Sequence, residues 1–326
     1  MHYSHLTRDQ RSQIFAYKST GMSNRSIALR LNVASTTIDR EIKRNGLNHR
    51  SFRSEQPHER AILRRKKARS IPIKLDSELV CAITARLKEF DSPEQISGRL
   101  KRLDKPRVSP ETIYRFIARD RCNGGHLYEY LRRRGRKLRK NRCSAQYKGF
   151  IKDRIDISQR PLIVEEKSRI GDLEIDTVVG AAHSGFLVTA VDRASKMVFI
   201  AKTATKEAVV VARALVDRLN RAKTLFKPLT ITSDNGSEFA LHKKISSQLD
   251  AQFFFAAPYR SWHRGLNEHT NGLIRQFLPK KCSFADLTED DIFKIEFNLN
   301  NRPRKALNFQ TPLEMVLSSV TAALHG

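Results

Sequence analysis

The chain is short of several things. It has four cysteines, at 81, 122, 143 and 282, with no Cys-x-x-Cys pair and no histidine at zinc-ligand spacing. That excludes a disulfide-stapled secreted scaffold and a zinc finger, and it points to reduced thiols in a cytosolic protein. No apolar stretch approaches the roughly 18 residues that a membrane-spanning helix requires, so no membrane partner is expected. The opening Met1-His2-Tyr3-Ser4-His5 has no signal-peptide pattern, and the cytoplasm, with access to chromosomal DNA, is the expected compartment. Tryptophan occurs once, at 262, and acidic residues are scarce: 34 Asp+Glu stand against 61 Lys+Arg, a net charge of +27.

That charge is unevenly spread. Residues 1–150 carry 36 Lys+Arg and 14 Asp+Glu, whereas residues 151–326 carry 25 and 20. A basic front half points to a polyanion, most simply nucleic acid. The near-neutral back half suits a folded catalytic domain that gathers carboxylates.

The front half reads as helices. Thr7-Arg8-Asp9-Gln10 is a capping box that opens a helix ending near Gly21. Ser23 caps a second helix bearing Ile27, Ala28 and Leu31, Asn32 follows, and a third helix runs from about Ser35 to Arg44. Helix, tight turn, helix is the arrangement that enters a DNA major groove N-terminus first. Ser35, Thr36, Thr37 and Arg40 are the candidates for base edges, and Arg25, Lys43 and Arg44 for phosphates. Downstream, Ser92-Pro93-Glu94-Gln95-Ile96 and Ser109-Pro110-Glu111-Thr112-Ile113 are near-copies with Ser at the cap and Pro at the first helical position, which predicts a second helix-turn-helix. Between the two, Arg53–Ser70 is a basic helix or an extended linker. Arg132 to Arg142 then packs eight positive charges into eleven residues, among them Arg132, Arg133, Arg134, Arg136 and Lys137. Such a run suits a strap along a DNA backbone, or a nuclear-localisation signal; the helical units beside it favour DNA.

The back half changes pattern. Asp172 to Gly180 alternates acid and apolar residues, so Asp172, Glu174 and Asp176 share one face of a strand. A bound metal would relieve that crowding, and a solvated edge strand would too. Strands are predicted at 186–191, 197–201, 229–232 and 253–256, with a helix over 206–223. Asp234, in an Asp-Asn-Gly turn, closes the fourth strand, where open α/β sheets place their chemistry. A last amphipathic helix carries Glu268, with 33 residues between it and Asp234. Carboxylates placed this way can hold two divalent cations about 3.5–4 Å apart, the arrangement that breaks and joins phosphodiester bonds. Arg264, Asn267, Asn271 and Arg275 fall along one side of that helix and are candidates to face DNA, with a plain solvated face as the alternative. Glu174 and Asp192 are candidate auxiliary acids or structural groups. Trp262 is a core residue or a base-stacking one, and Asn301, Arg302 and Arg304 are phosphate contacts or structural.

The segment Ser261-Trp262-His263-Arg264-Gly265-Leu266-Asn267-Glu268-His269-Thr270-Asn271-Gly272 resembles the signature of bacterial insertion-sequence transposases of the IS-thirty family. So do Glu174-Ile175-Asp176-Thr177-Val178-Val179-Gly180, Thr232-Ser233-Asp234-Asn235-Gly236-Ser237-Glu238-Phe239 and Asn300-Asn301-Arg302-Pro303-Arg304-Lys305. Leu173, His269 and Lys281 stand where that family usually has Trp, Asn and Gly. The resemblance implies a multidomain chain: all-α helix-turn-helix units followed by an α/β ribonuclease-H-like core of retroviral-integrase type. The expected divisions are a first helix-turn-helix at 1–50, a basic linker or helix at 51–74, a second helix-turn-helix at 75–122, a basic linker at 123–160, and the core with its helical tail at 161–326. It also implies that Asp176, Asp234 and Glu268 form a DDE triad binding two Mg²⁺ ions, with Mn²⁺ as a substitute. The expected partners are double-stranded DNA, as terminal inverted repeats and as target, and a second copy in a homodimer or higher oligomer. The rival expectations are a non-catalytic regulator that only occupies its repeats, and a structure-specific nuclease of the same fold.

Overall fold

The computed structural model describes residues 6–45, 56–69, 75–132, 151, 153–257 and 265–325. They divide into two compact units, 1–74 and 75–326. No helix among the described residues is long and apolar enough to cross a membrane.

The first unit is built from α1 (Arg8–Ser19), α2 (Asn24–Leu31), α3 (Ser35–Asn45) and α4 (Gln56–Arg69). The capping box forms: Gln10 N donates to Thr7 Oγ1 at 3.1 Å and Thr7 N to Gln10 Oε1 at 2.9 Å. Asn32 ends α2 in the left-handed conformation at φ 51°, a strain its short polar side chain tolerates. Leu6, Ile14, Ile27, Ala28 and Ile38 make the core. A buried Arg11–Glu41 pair at 2.7 Å ties α1 to α3, and Asn45 Nδ2 donates to the same Glu41 oxygen at 2.9 Å. The basic segment left open by sequence is a helix, α4, which returns to α3 through Arg64 and Asn45 Oδ1 at 3.2 Å.

The second unit opens with α5 (Ser77–Lys88), α6 (Pro93–Arg102) and α7 (Pro110–Cys122). Asp76, Ser92 and Ser109 cap them, with proline at the first position of α6 and α7. Ile83, Leu87, Ile96, Leu100, Ile113 and Ile117 form their shared core. After the short α8 (Leu162–Glu166) come β1 (Asp172–Val179), β2 (Phe186–Asp192), β3 (Val198–Thr203), α9 (Ala208–Arg221), β4 (Thr230–Ser233), α10 (His242–Leu249), β5 (Gln252–Phe255), α11 (Gly265–Phe277), α12 (Glu289–Asn300) and α13 (Pro312–His325). The sheet order is β3-β2-β1-β4-β5. β1, β2 and β3 are antiparallel neighbours, and β4 and β5 run parallel to β1. Leu173 and Ile175 pack with α9 and α10 on one face, while Val178, Leu187 and Val198 pack with α11 and α12 on the other. This is the expected ribonuclease-H-like sheet, covered on both faces.

Residues 75–326 cluster as a single unit, so α5–α7 do not stand apart from the sheet. The reason is a dense contact between α6 and the chain after α12. Gln95 Nε2 donates to Pro303 O at 2.7 Å, and Arg99 forks onto Glu314. A Cβ at Gly98 would lie 2.3 Å from the Phe309 ring, so only glycine fits there. Phe90 stacks edge-on against Phe277 at 4.7 Å. Arg302, buried, donates to Gln95 Oε1 and to Gln276 Oε1, both at 3.0 Å. Arg302 and Arg304 are therefore structural cations, the second of the two roles their sequence allows. Burial drives their pKa values down to about 10 and about 9.

Asp91 completes this contact. Burial pushes its carboxyl up to about 6, against the opposing pull of Arg86 and Arg302. The folded state thus holds this proton more tightly than the unfolded chain does. Asp91 contributes stability that is full below the ordinary carboxylate range and is lost as pH rises through 6. The expected result is a melting temperature that declines between pH 4 and 6.5, with a smaller decline in Asp91→Asn. An equal decline in the variant assigns the titration elsewhere.

Candidate active site and DNA-facing surfaces

β1 and β4 pair in parallel with Asp172 opposite Thr230 and Glu174 opposite Thr232. Two residues further along, that register sets Asp176 level with Asp234. Sheet pairing therefore brings two acids, far apart in sequence, to the same end of adjacent strands. Asp234 Oδ1 accepts from the Gly236 amide at 2.9 Å, a turn that aims its carboxyl back over the strand end. Asp176 and Asp234 are both half-buried, and Glu268 is exposed in the first turn of α11.

α11 is stitched along β1 by three side chains one turn apart. Asn267 Nδ2 donates to Ile175 O at 3.1 Å, Asn271 Nδ2 to Asp176 Oδ2 at 2.8 Å, and Arg275 to Val179 O at 2.6 Å. Periodicity correctly puts them on one side of the helix, but that side faces the strand. Asn267 is 1% exposed, and Arg275 is also stacked over the Phe284 ring at 5.5 Å. Asn267 leaves the set of DNA-facing candidates because it is buried with its amide given to β1, whereas Arg275, half-buried, spends Nη2 on Val179 O and Nη1 on Leu278 O. Asn271 stays at the site as the partner of Asp176.

The row of acids on β1 is relieved by arginine. Asp172 accepts from Arg169 at 3.0 and 3.1 Å and from Thr230 Oγ1 at 2.8 Å. Glu174 lies 3.4 Å from the equally buried Arg193. Asp192 is structural: it accepts from Gly171 N at 2.8 Å and from Ser195 N and Oγ at 2.7 Å, holding the turn between β2 and β3.

A fourth carboxylate escaped the sequence reading. Glu238 is buried, accepting from Thr177 Oγ1 and pairing with Lys206, each at 2.9 Å. A Cβ at Gly236 would lie 2.4 Å from Glu238 Oε2 and 2.9 Å from Asp234 Oδ1, so the glycine is what lets the two acids approach. The Ser237-Glu238-Phe239 tripeptide was the available signal.

The oxygen-only set Asp176, Asp234 and Glu268 has the chemistry of a hard divalent cation site. As they stand, no three His, Cys, Asp or Glu side chains among the described residues are grouped tightly enough to hold an ion together. In the first unit, Ser35, Thr36, Arg40, Lys43 and Arg44 are exposed on α3, as is Arg25 on α2, while Thr37 is half-buried. Arg132 is exposed, next to α11 at Gly272. Arg133, Arg134, Arg136, Lys137, Trp262 and Arg264 lie outside the described residues.

Residues 2–45 match the family described as a helix-turn-helix domain, and residues 168–261 match the integrase core domain. The transposase for insertion sequence element IS4351 of Bacteroides fragilis is 44% identical over 310 residues, spanning 95% of this chain and 94% of that one. Transposase InsI for insertion sequence element IS30A of Escherichia coli (strain K12) is 37% identical, spanning 96% and 83%. The crystal structure of the BIV integrase catalytic core domain covers 48% of this chain at 19% identity and a TM-score of 0.37. With near full-length identity at this level, the chain belongs to the IS30 family of insertion-sequence transposases, built from an N-terminal helix-turn-helix and a ribonuclease-H-like integrase core.

Proposed function

We propose that this transposase binds the terminal inverted repeats of its element through its helical readers, then cuts and joins DNA strands with Asp176, Asp234 and Glu268. The observation that carries the reading is the parallel β1–β4 register, which sets Asp176 and Asp234 level at one sheet end beside the helix that bears Glu268. Asn271 and the Gly236 amide fix the two aspartates in place. Two divalent ions, Mg²⁺ with Mn²⁺ as a substitute, would activate the attacking oxygen and stabilise the leaving one. Glu268 stands in the first turn of α11 beside Asn267, whose bond to Ile175 O holds that turn against β1.

The test is a labelled duplex of the element's own terminal repeat, incubated with Mg²⁺ or EDTA, with any nick mapped to the base. Metal-dependent cleavage at the repeat tip, lost in Asp234→Ala, supports the reading. The rival reading is a regulator that binds its repeats and does not cut. Tight binding without cleavage in Mg²⁺ or Mn²⁺ would select it.

The first reader makes a separate claim. Lys43→Ala and Arg44→Ala should each weaken all duplexes alike and lower the slope of log K against log salt by about 1. Arg40→Ala should cost specific binding about 1–3 kcal/mol and relax sequence preference at one position. Equal losses on repeat and random DNA would make Arg40 a phosphate contact instead. α7, with Tyr114, Arg115 and Arg119 exposed, is the proposed second reader.

A further inference from the structure

α11 presents a second strip beside the one that bonds to β1. Asn267, Asn271 and Arg275 reach the strand. Glu268, Gly272 and Gln276, each four residues apart, form the neighbouring strip. Its far end is covered by the 3₁₀ turn Leu127–Tyr130 that follows α7. Gln276 Nε2 donates to Tyr130 O at 2.9 Å. Phe90 lies edge-on between Tyr130 and Phe277, its ring centroid 5.5 Å from the first and 4.7 Å from the second. Two residues on, Arg132 reaches Gly272. A Cβ at Gly272 would lie 2.7 Å from Arg132 Nη2, so the missing side chain makes the notch in which the guanidinium sits. From Tyr130 to Arg132 the chain climbs one turn of α11, from Gln276 to Gly272, and one further turn along the same strip stands Glu268.

Arg132 is exposed and, among the described residues, makes no hydrogen bond or ion pair. Its charge weighs on the buried Arg302 and on His269 of α11. The nearby Asp91 already answers Arg86 and Arg302, so the guanidinium has no carboxylate of its own. A guanidinium seated this way takes two phosphate oxygens through parallel N–H bonds. In a DNA-binding protein, the phosphate that arrives one helical turn from Glu268 belongs to the strand entering the site. We infer that Arg132 is a positioning residue of this transposase: seated in the Gly272 notch, it holds the DNA phosphate beside the bond to be cut. That assignment rests on the reading of Asp176, Asp234 and Glu268 as the cutting site. It gives Arg132 a task apart from the general backbone grip expected of a basic run.

The test uses terminal-repeat duplexes in which one phosphate at a time is a neutral methylphosphonate. The full chain binds them in EDTA and nicks them in Mg²⁺. With protein saturating, Arg132→Gln should nick the unmodified duplex about 10–100-fold more slowly, as expected of a misplaced substrate, while binding weakens only several-fold. Neutralising a phosphate within a nucleotide or two of the repeat tip should weaken wild-type binding several-fold and Arg132→Gln binding no further. Interior phosphates should weaken both proteins alike. Gly272→Ala keeps the cation but fills its notch. It should slow nicking about 10-fold, add nothing in the Arg132→Gln background, and melt no lower than wild type, because alanine is the better helix former. Misplacement is thereby separated from misfolding. The binding measurements decide the role of Arg132 even if the chain does not nick, so a failed triad and a failed Arg132 are told apart. Losses that add at every phosphate, a coupled phosphate deep inside the repeat, or wild-type nicking by Gly272→Ala would each overturn the assignment.

Discussion

Asp176→Ala is expected to lower cleavage of a terminal-repeat duplex by at least about 10³-fold, the equivalent of about 4 kcal/mol of barrier, while repeat binding stays within a few-fold of wild type. Asp234→Ala should behave alike. Glu268→Gln keeps the helix and the side-chain length, so its loss of activity would isolate the charge. Binding persists in all three because the proposed readers are other elements, α3 and α7, with cores of their own. Asn271→Ala grades the argument. Asn271 holds Asp176 Oδ2 at 2.8 Å without itself being a proposed metal ligand, so its loss should cost about 10–100-fold, as expected of an outer partner that orients a ligand. Nick mapping and band-shift titration measure both quantities. Wild-type nicking by Asp176→Ala or by Glu268→Gln would break the triad assignment.

Arg302→Ala is expected to destabilise the 75–326 unit by about 3–5 kcal/mol, the cost of removing one partner from a buried charged network. In melting temperature that is a fall of about 10 °C for a unit of this size. The side chain spans Gln95 on α6 and Gln276 on α11, and the buried Asp91 feels its charge. Alanine leaves all three without that cation. Lysine should not rescue, because one ammonium cannot reproduce a planar fork that serves two amides in different directions. Calorimetry should show the transition of the 75–326 unit moving and that of α1–α4 unmoved. Unchanged melting would mean that the apolar contacts, Phe90 on Phe277 and Gly98 under Phe309, hold α6 without it.

Local chemistry made much of this chain readable. α1, α2, α6 and α7 announce themselves because each begins with a Ser or Thr cap, and caps are short-range signals. α10 carries no such signal. It is eight residues long and follows Leu241, which offers no side-chain cap, so the sequence reading passed over it. The aspartates were legible because strand ends and Asp-Asn-Gly turns are local, whereas their neighbours were not. Glu174 and Arg193 meet only through the antiparallel pairing of β1 with β2, and Glu238 and Asp234 both crowd the place where Gly236 lacks a side chain. For Asn267 and Arg275, periodicity gave the side of the helix correctly. It could not give what that side faces, which depends on where the sheet lies.

The contact of α6 with the 302–314 segment also sets a length. α7 and the strand ends bearing Asp176 and Asp234 belong to one packed body, joined by Arg99 to Glu314 and by Arg302 to Gln95. With α7 as the proposed second reader and the aspartates as the proposed cutting site, the two would form the jaws of a caliper whose opening is set by tertiary packing. DNA gripped on the outer face of α7 would present the same bond to the carboxylates in every complex. Inserting one base pair between the gripped sequence and the repeat tip should therefore move the cut along the sequence by one base pair, while its distance from the grip stays constant.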